Sequence, residues 1–213
     1  LSAARSQLAT MTTDARIGAA LNWAEDYLDQ QRPGDASQLL ADLNPQGMDK
    51  EQRFAWILLS GRGQLGDQRP DDALALLQDH KDDILQYPAE QQARLDLLKA
   101  DALAMKGELT SSLQERVAAH PLLEDDDQDY NHGVIWQLLM QLSNTELADA
   151  VEESSGDLRG WLTLAQLYRD PIADLDAQVS RLNQWSAQWR THPATGDVPD
   201  ILDALEKAAD ERP

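Results

Sequence analysis

The chain has 213 residues, with 38 acidic against 18 basic side chains for a net charge of −20, and it contains no cysteine. That charge argues against polyanionic partners, nucleic acid and anionic lipid surfaces alike, although it suits a hydrated surface in salty surroundings. The missing thiols exclude disulfides, thiolate zinc sites and cysteine nucleophiles while leaving the redox compartment open.

The length accommodates one large domain, two small ones or a continuous repeat array. Ala, Leu, Asp and Gln are abundant and β-branched residues scarce, so an all-α protein is expected. No apolar run approaches the ~18–20 residues of a membrane-spanning helix. Leu1 is not an initiator, so we expect a removed leader or a longer parent chain before it.

In chain order, 14–30 places Ile17, Leu21, Ala24 and Leu28 on one helical face, closed by Arg32-Pro33-Gly34. A shorter helix over 35–43 carries Ala36, Leu39, Leu40 and Leu43, and Asn44-Pro45-Gln46-Gly47 is a turn by composition. Helices over 49–65 and 71–79 follow, separated by a turn at 66–70. Arg32-Pro33-Gly34-Asp35-Ala36 then aligns with Arg69-Pro70-Asp71-Asp72-Ala73, an offset of 37 (70 − 33). The same step carries Leu21 to Leu58 and Leu95, Leu39 to Leu76 and Leu113, Leu28 to Leu65 and Ala102, and Pro70 to Gly107. Two helices per unit at this period predict an α-hairpin array close to the ~34-residue tetratricopeptide (TPR) repeat.

Past 120 the period loosens. His120-Pro121 ends the third hairpin, and the acidic run 124–129 suits a helix N-terminus. A helix near 129–142 holds Trp136, Leu139 and Met140, with a shorter partner at 145–153. Gly160–Tyr168 reads as the first helix of a TPR unit. Trp161, Leu164, Ala165 and Tyr168 fall at i, i+3, i+4 and i+7, with a small residue between two large ones. Asp170-Pro171 closes it, and 172–190 forms a long helix with Leu175, Val179, Leu182 and Trp189 on one side. Pro193 and Pro199 bracket a linker before a last helix at 201–211. All nine prolines fall between these helices or at their ends, as their cost in a helix interior requires. The expected fold is therefore a TPR-like α-hairpin solenoid of antiparallel helix pairs. It forms one domain over 1–213, with hairpins near 14–43, 49–79, 89–119, 129–153 and 158–190 and a final helix at 201–211.

Motifs that could carry chemistry have plainer structural readings. Gly61-Arg62-Gly63-Gln64-Leu65-Gly66 spells the dinucleotide fingerprint, but it closes a helix instead of joining a strand to one. Gly61 is expected to be a close-packed helical position and Gly66 the helix stop. Asp125-Asp126-Asp127-Gln128-Asp129 begins like a calcium loop, yet Tyr130 and Trp136 stand where Gly and Glu are required. The histidines His80, His120, His132 and His192 lack metal-ligand spacing, and three of them fall at helix ends where imidazole can cap carbonyls. Nucleophile motifs and P-loops are missing, and no carboxylate pair stands out from the rest. No catalytic, metal or cofactor residue is therefore assigned. Trp23, Trp56, Trp136 and Trp161 belong to apolar faces, so packing is the default reading; any one exposed in a groove would instead be a binding anchor.

Three stretches go further. Asn131-His132-Gly133-Val134-Ile135-Trp136-Gln137-Leu138-Leu139 resembles the Asn-x-x-x-Ile-Trp-Gln-x-Leu segment of LpoA-type penicillin-binding-protein activators. Gly160-Trp161-Leu162-x-Leu164-Ala165 is similar to their next helix. Leu182-x-x-Trp185-x-x-x-Trp189-x-x-His192-Pro193-Ala194 is similar to a third segment, with Trp189 in place of the usual Tyr and Arg190 in place of the usual Pro. These matches cover roughly residues 130–200.

The resemblance implies an outer-membrane lipoprotein of a Gram-negative bacterium, with a TPR-like N-terminal domain and a following domain of periplasmic-binding-protein fold. It implies activation of a bifunctional class A penicillin-binding protein through that second domain, peptidoglycan as a further contact, and a membrane link only through an upstream lipid anchor. On this reading the chain is the non-catalytic N-terminal domain, a stiff periplasmic spacer. Two alternatives stand beside it. A free-standing TPR scaffold would bind peptides in its concave groove. A glycan hydrolase would need two carboxylates ~5–9 Å apart in a cleft.

Overall fold

The computed structural model describes residues 1–169 and 174–210, which form helices, 3-10 turns and connecting segments with no strand among them. The all-α, TPR-like expectation is met. The expected closure at Asp170-Pro171, the helix start at Ile172 and the chain end from 211 onward lie outside the described residues. The chain divides into two compact units, Leu1–Asp129 and Tyr130–Pro213.

The first unit opens with a short helix that the periodicity did not predict, α1 (Ser2–Leu8). It continues with α2 (Thr13–Asp29), α3 (Pro33–Ala41), α4 (Lys50–Gly66), α5 (Pro70–Asp79), the single turn α6 (Lys81–Ile84), α7 (Ala89–Met105) and α8 (Leu109–Ala119). The long helices α2, α4 and α7 are 17 residues each. Each packs on the short helix that follows it, and α4 packs on both α2 and α7, as stacked hairpins do.

Their starts at Thr13, Lys50 and Ala89 set the repeat at 37 and then 39 residues, so the second step is two longer than the sequence alignment assumed. The segment between α5 and α7, which holds α6, absorbs the extra length. Leu58 is therefore matched by Leu97, not Leu95, and Pro70 by Leu109, not Gly107. In the corrected register the small residues align: Ala24, Gly61 and Ala100 on the long helices, Ala36, Ala73 and Ser112 on the short ones, all buried. Ser112 shows why these positions are small. Its hydroxyl donates to the carbonyl of Ala100 at 2.7 Å, so the two helix backbones run close there.

Local chemistry explains the boundaries. Pro33 and Pro70 occupy the first turns of α3 and α5, where the missing N–H has no partner to lose. The chain reverses one step earlier than the expected Arg32-Pro33-Gly34 closure, at Gln31 and Gln68, whose φ angles of 58° and 60° are left-handed. Gly107, at φ 81°, is their counterpart after α7. At each site the next residue's N–H reaches back to a carbonyl five residues earlier: Arg32 to Tyr27, Arg69 to Gln64, and Glu108 to Leu103. Asp49 and Gln52 cap α4 reciprocally at 2.8 and 3.1 Å.

The core follows the stacking. Ile17, Ala20, Leu21, Ala24, Leu39 and Leu40 cluster around α2 and α3, while Phe54, Ile57, Leu77, Leu95 and Leu98 join α4, α5 and α7. Each fully buried Leu or Ile contributes about 1.5–3 kcal/mol.

The glycine fingerprint is resolved as packing. A Cβ on Gly61 would overlap the Leu98 side chain, one on Gly63 would lie 2.7 Å from the Ser37 hydroxyl, and one on Gly66 would lie 2.5 Å from Pro33 Cβ. Gly61 and Gly63 lie inside α4 and Gly66 is its last residue, while the left-handed reversal after it falls at Gln68.

The second unit is built from α9 (Asp125–Gln141, whose first turn begins in the first unit), α10 (Asn144–Glu153), α11 (Gly156–Arg169), α12 (Leu175–Gln188) and α13 (Val198–Asp210). The expected linker between Pro193 and Pro199 is instead a 3-10 turn, Pro193–Asp197, running straight into α13. Both prolines sit in first turns, where they cost no hydrogen bond. Ser143 and Glu146 form the capping box of α10. Arg169 closes the C-terminus of α9, donating to the carbonyls of Leu139 at 3.2 Å and Leu142 at 2.5 Å and to the Asn144 side chain at 2.8 Å.

Candidate interaction groove

The second unit is organised around Trp161, which is completely buried. Its ring meets those of His132 at 4.8 Å, Trp136 at 5.7 Å and His192 at 5.3 Å, each edge to face. This geometry puts the positive ring edge against a negative face. Gly160 makes room beside it: a Cβ there would stand 2.6 Å from the His192 ring and 3.2 Å from Trp189. Trp185, also buried, donates its indole N–H to the carbonyl of Gly160 and to the Thr163 hydroxyl, both at 3.1 Å.

His192 is fixed through both nitrogens. Its Nδ1 accepts from the Ala194 N–H at 3.1 Å, which leaves Nε2 to donate to the Asp157 carbonyl at 2.9 Å. Burial holds this imidazole below its usual pKa, outweighing the nearby Asp157 carbonyl and the charges of Asp157 and Asp197. His192 thus caps the start of the 3-10 turn as a neutral ring, where the sequence suggested carbonyl capping.

On the outer side of this cluster, Asp197 ties α9 to the start of α13. One carboxylate oxygen accepts from the Trp136 indole at 2.8 Å and lies 2.8 Å from His132 Nε2. Beside it opens a groove of about 330 Å³. Trp136 and Met140 from α9, Tyr168 from α11 and Ile201 from α13 give it apolar and aromatic walls; Asp197 and Asp200 supply carboxylates. Tyr168 and Met140 are each 38% exposed, and the Trp136 and Tyr168 rings stand 6.2 Å apart at 75°.

This arrangement offers apolar and aromatic contact beside two carboxylates, the make-up of a binding surface. Trp136 lines this groove, while Trp161 and Trp185 are core. Trp56 donates to the Leu40 carbonyl at 3.2 Å and packs edge to face with His80 in the first unit. His80 lies 3.4 Å from Asp83, and His120 is buried in the 3-10 turn after α8. Asp125, Asp126 and Asp127 occupy the first turn of α9, and no cluster of metal-ligating side chains occurs among the described residues.

The groove's Asp197, Asp200 and Ile201 were missed by sequence reasoning. Their only sequence signal is the i, i+3, i+4 spacing from 197 to 201, and the linker assignment concealed it. The three stretches that carry the family resemblance are α9, the core of α11, and α12 with its following turn; the structure brings all three around Trp161.

Comparison with known proteins agrees with that resemblance. The model of the family described as "LppC putative lipoprotein" matches residues 13–211. Penicillin-binding protein activator LpoA of Pantoea ananatis is 27% identical over 172 residues, which are 80% of this chain and 25% of the relative. The chain thus spans about a quarter of that protein's length. Among solved structures, the Escherichia coli LpoA amino-terminal domain superposes with a TM-score of 0.69 at 22% identity, covering 94% of this chain and 89% of that one. The Haemophilus influenzae LpoA N-terminal domain gives a TM-score of 0.74 at 20% identity over 96% and 92%. The full-length protein from that organism gives 0.75 at 19%, with only 38% of its length covered.

Proposed function

Because the chain belongs to the LppC lipoprotein family, we propose that it is the non-catalytic N-terminal helical domain of a lipid-anchored, periplasm-facing activator of a penicillin-binding protein. The observation that carries the reading is the end-to-end likeness to isolated LpoA N-terminal domains beside the partial coverage of full-length LpoA. The parent protein is anchored in the outer membrane, and the synthase it regulates is a bifunctional class A enzyme that polymerises and cross-links peptidoglycan. A second domain following this one makes the activating contact. The helical domain serves as a stiff element between anchor and activating domain. Stacked hairpins favour such a role, since an ordered array loses less entropy on holding a partner than a flexible tether does.

The test uses the full-length parent protein with the cognate synthase and lipid-linked disaccharide-peptide substrate. Glycan polymerisation or cross-linking is expected to rise when the parent protein is added, with no turnover from this chain alone. An unchanged synthase rate, or glycan turnover by the chain itself, overturns the proposal. A second reading, a peptide-binding scaffold, is favoured by the exposed aromatic groove of the second unit.

A further inference from the structure

We propose that the groove formed by α9, α11 and α13 is a receptor for a lysine or arginine side chain carried on a basic segment of a partner polypeptide. The inference rests on the groove alone and not on the activator reading, so its failure would leave that reading untouched.

Two features of the groove converge on a cation. The Trp136 and Tyr168 rings stand at 75° with centroids 6.2 Å apart, forming adjoining walls of an open aromatic corner. Ring faces attract ammonium and guanidinium groups through their quadrupole, and corners of this kind are how proteins cage cationic head groups. Asp197 and Asp200 line the same groove. Asp197 is held in place by the Trp136 indole and by His132, a fixed acceptor that need not reorganise when a charged donor arrives.

No lysine or arginine of the chain is among the described residues lining the groove. The nearest along α11, Arg169, is committed to the carbonyls of Leu139 and Leu142. An anionic group would be repelled by the two carboxylates, and a neutral one would gain nothing from the exposed Asp200 charge. At about 330 Å³ the groove is near the small end of ligand pockets, ~300–1,000 Å³. That suits one or two side chains of a peptide, with Met140 and Ile201 offering apolar contact to the aliphatic stem.

The experiment records the indole resonances of the ¹⁵N-tryptophan-labelled chain during titration. The probes are acetyl-Leu-Arg-Leu-amide, acetyl-Leu-Lys-Leu-amide, acetyl-Leu-Glu-Leu-amide and a tetramer of N-acetylglucosamine. The Arg and Lys peptides are expected to shift the Trp136 signal saturably, leave those of Trp23 and Trp56 unmoved, and bind more weakly as salt is raised. Asp200→Asn removes an exposed charge without touching the core and is expected to weaken that binding about fivefold. Tyr168→Leu is expected to weaken it as well, with unchanged circular dichroism. Equal binding of the Glu peptide, preference for the saccharide, undiminished binding by Asp200→Asn, or no response to any probe would each overturn the proposal.

Discussion

Substituting Gly160 by alanine sets two well-measured effects against each other. Gly160 lies in the interior of α11, where alanine is about 1 kcal/mol better than glycine by helix propensity. The new Cβ, however, would sit 2.6 Å from both Cδ2 and Nε2 of His192 and 3.2 Å from Trp189. Relieving that overlap costs about 1–3 kcal/mol. Displacing His192 also breaks its 2.9 Å bond to the Asp157 carbonyl, worth about 1 kcal/mol more. The net expectation for Gly160→Ala is a loss of about 1–3 kcal/mol.

Gly133→Ala is the matched control. It lies inside α9, is exposed, and has nothing within 4 Å of its added Cβ. It should gain about 0.5–1 kcal/mol from propensity alone. Thermal and urea unfolding followed by tryptophan fluorescence suit the test, since Trp136, Trp161, Trp185 and Trp189 all lie in the second unit. A loss of 2 kcal/mol corresponds to about 4–8 °C for a protein of this size. If Gly160→Ala and Gly133→Ala stabilise alike, the close approach of His192 to α11 is refuted.

Gln31→Gly and Gln68→Gly should each stabilise the first unit by about 0.5–1 kcal/mol, because both glutamines hold φ near 60°, a conformation that favours glycine; an unchanged urea midpoint would count against it. Arg169→Ala should cost about 1.5–3 kcal/mol through the carbonyls it leaves at the end of α9, readable as faster amide exchange over 139–142. His192 makes the second unit sensitive to pH. Its folded-state pKa is depressed, so its contribution is complete above about pH 6.5 and is lost as pH falls towards the depressed value. Acidification also relieves repulsion in a chain of charge −20, so the measurement compares His192→Gln with the parent. The variant's urea midpoint should fall less between pH 7.5 and 5.5, and equal slopes would contradict the assignment.

The sequence alone determined what is local. Apolar residues three and four apart placed α2, α4 and α7; prolines marked where helices break; and the context of the Gly61–Gly66 run ruled out a dinucleotide loop. Each of these depends on interactions spanning at most a turn or two, which the order of residues encodes directly. The repeat length was only partly visible, since Leu95 and Leu113 offered a plausible but false alignment and only the helix starts exposed the step of 39. The left-handed turns at Gln31 and Gln68 were hidden because glutamine carries no signature for that conformation.

Tertiary structure alone decided which side chains meet. His132 and Asp197 are 65 positions apart, and Trp185 and the Gly160 carbonyl 25 apart. No periodicity within a helix reports on what the facing helix presents. The same apolar stripe could bury all its aromatics or leave some in a groove. The chain buries Trp161 and leaves Trp136 and Tyr168 partly exposed, and the start of α13 at Val198 brings Asp197 against the Trp136 indole and Ile201 into the same groove.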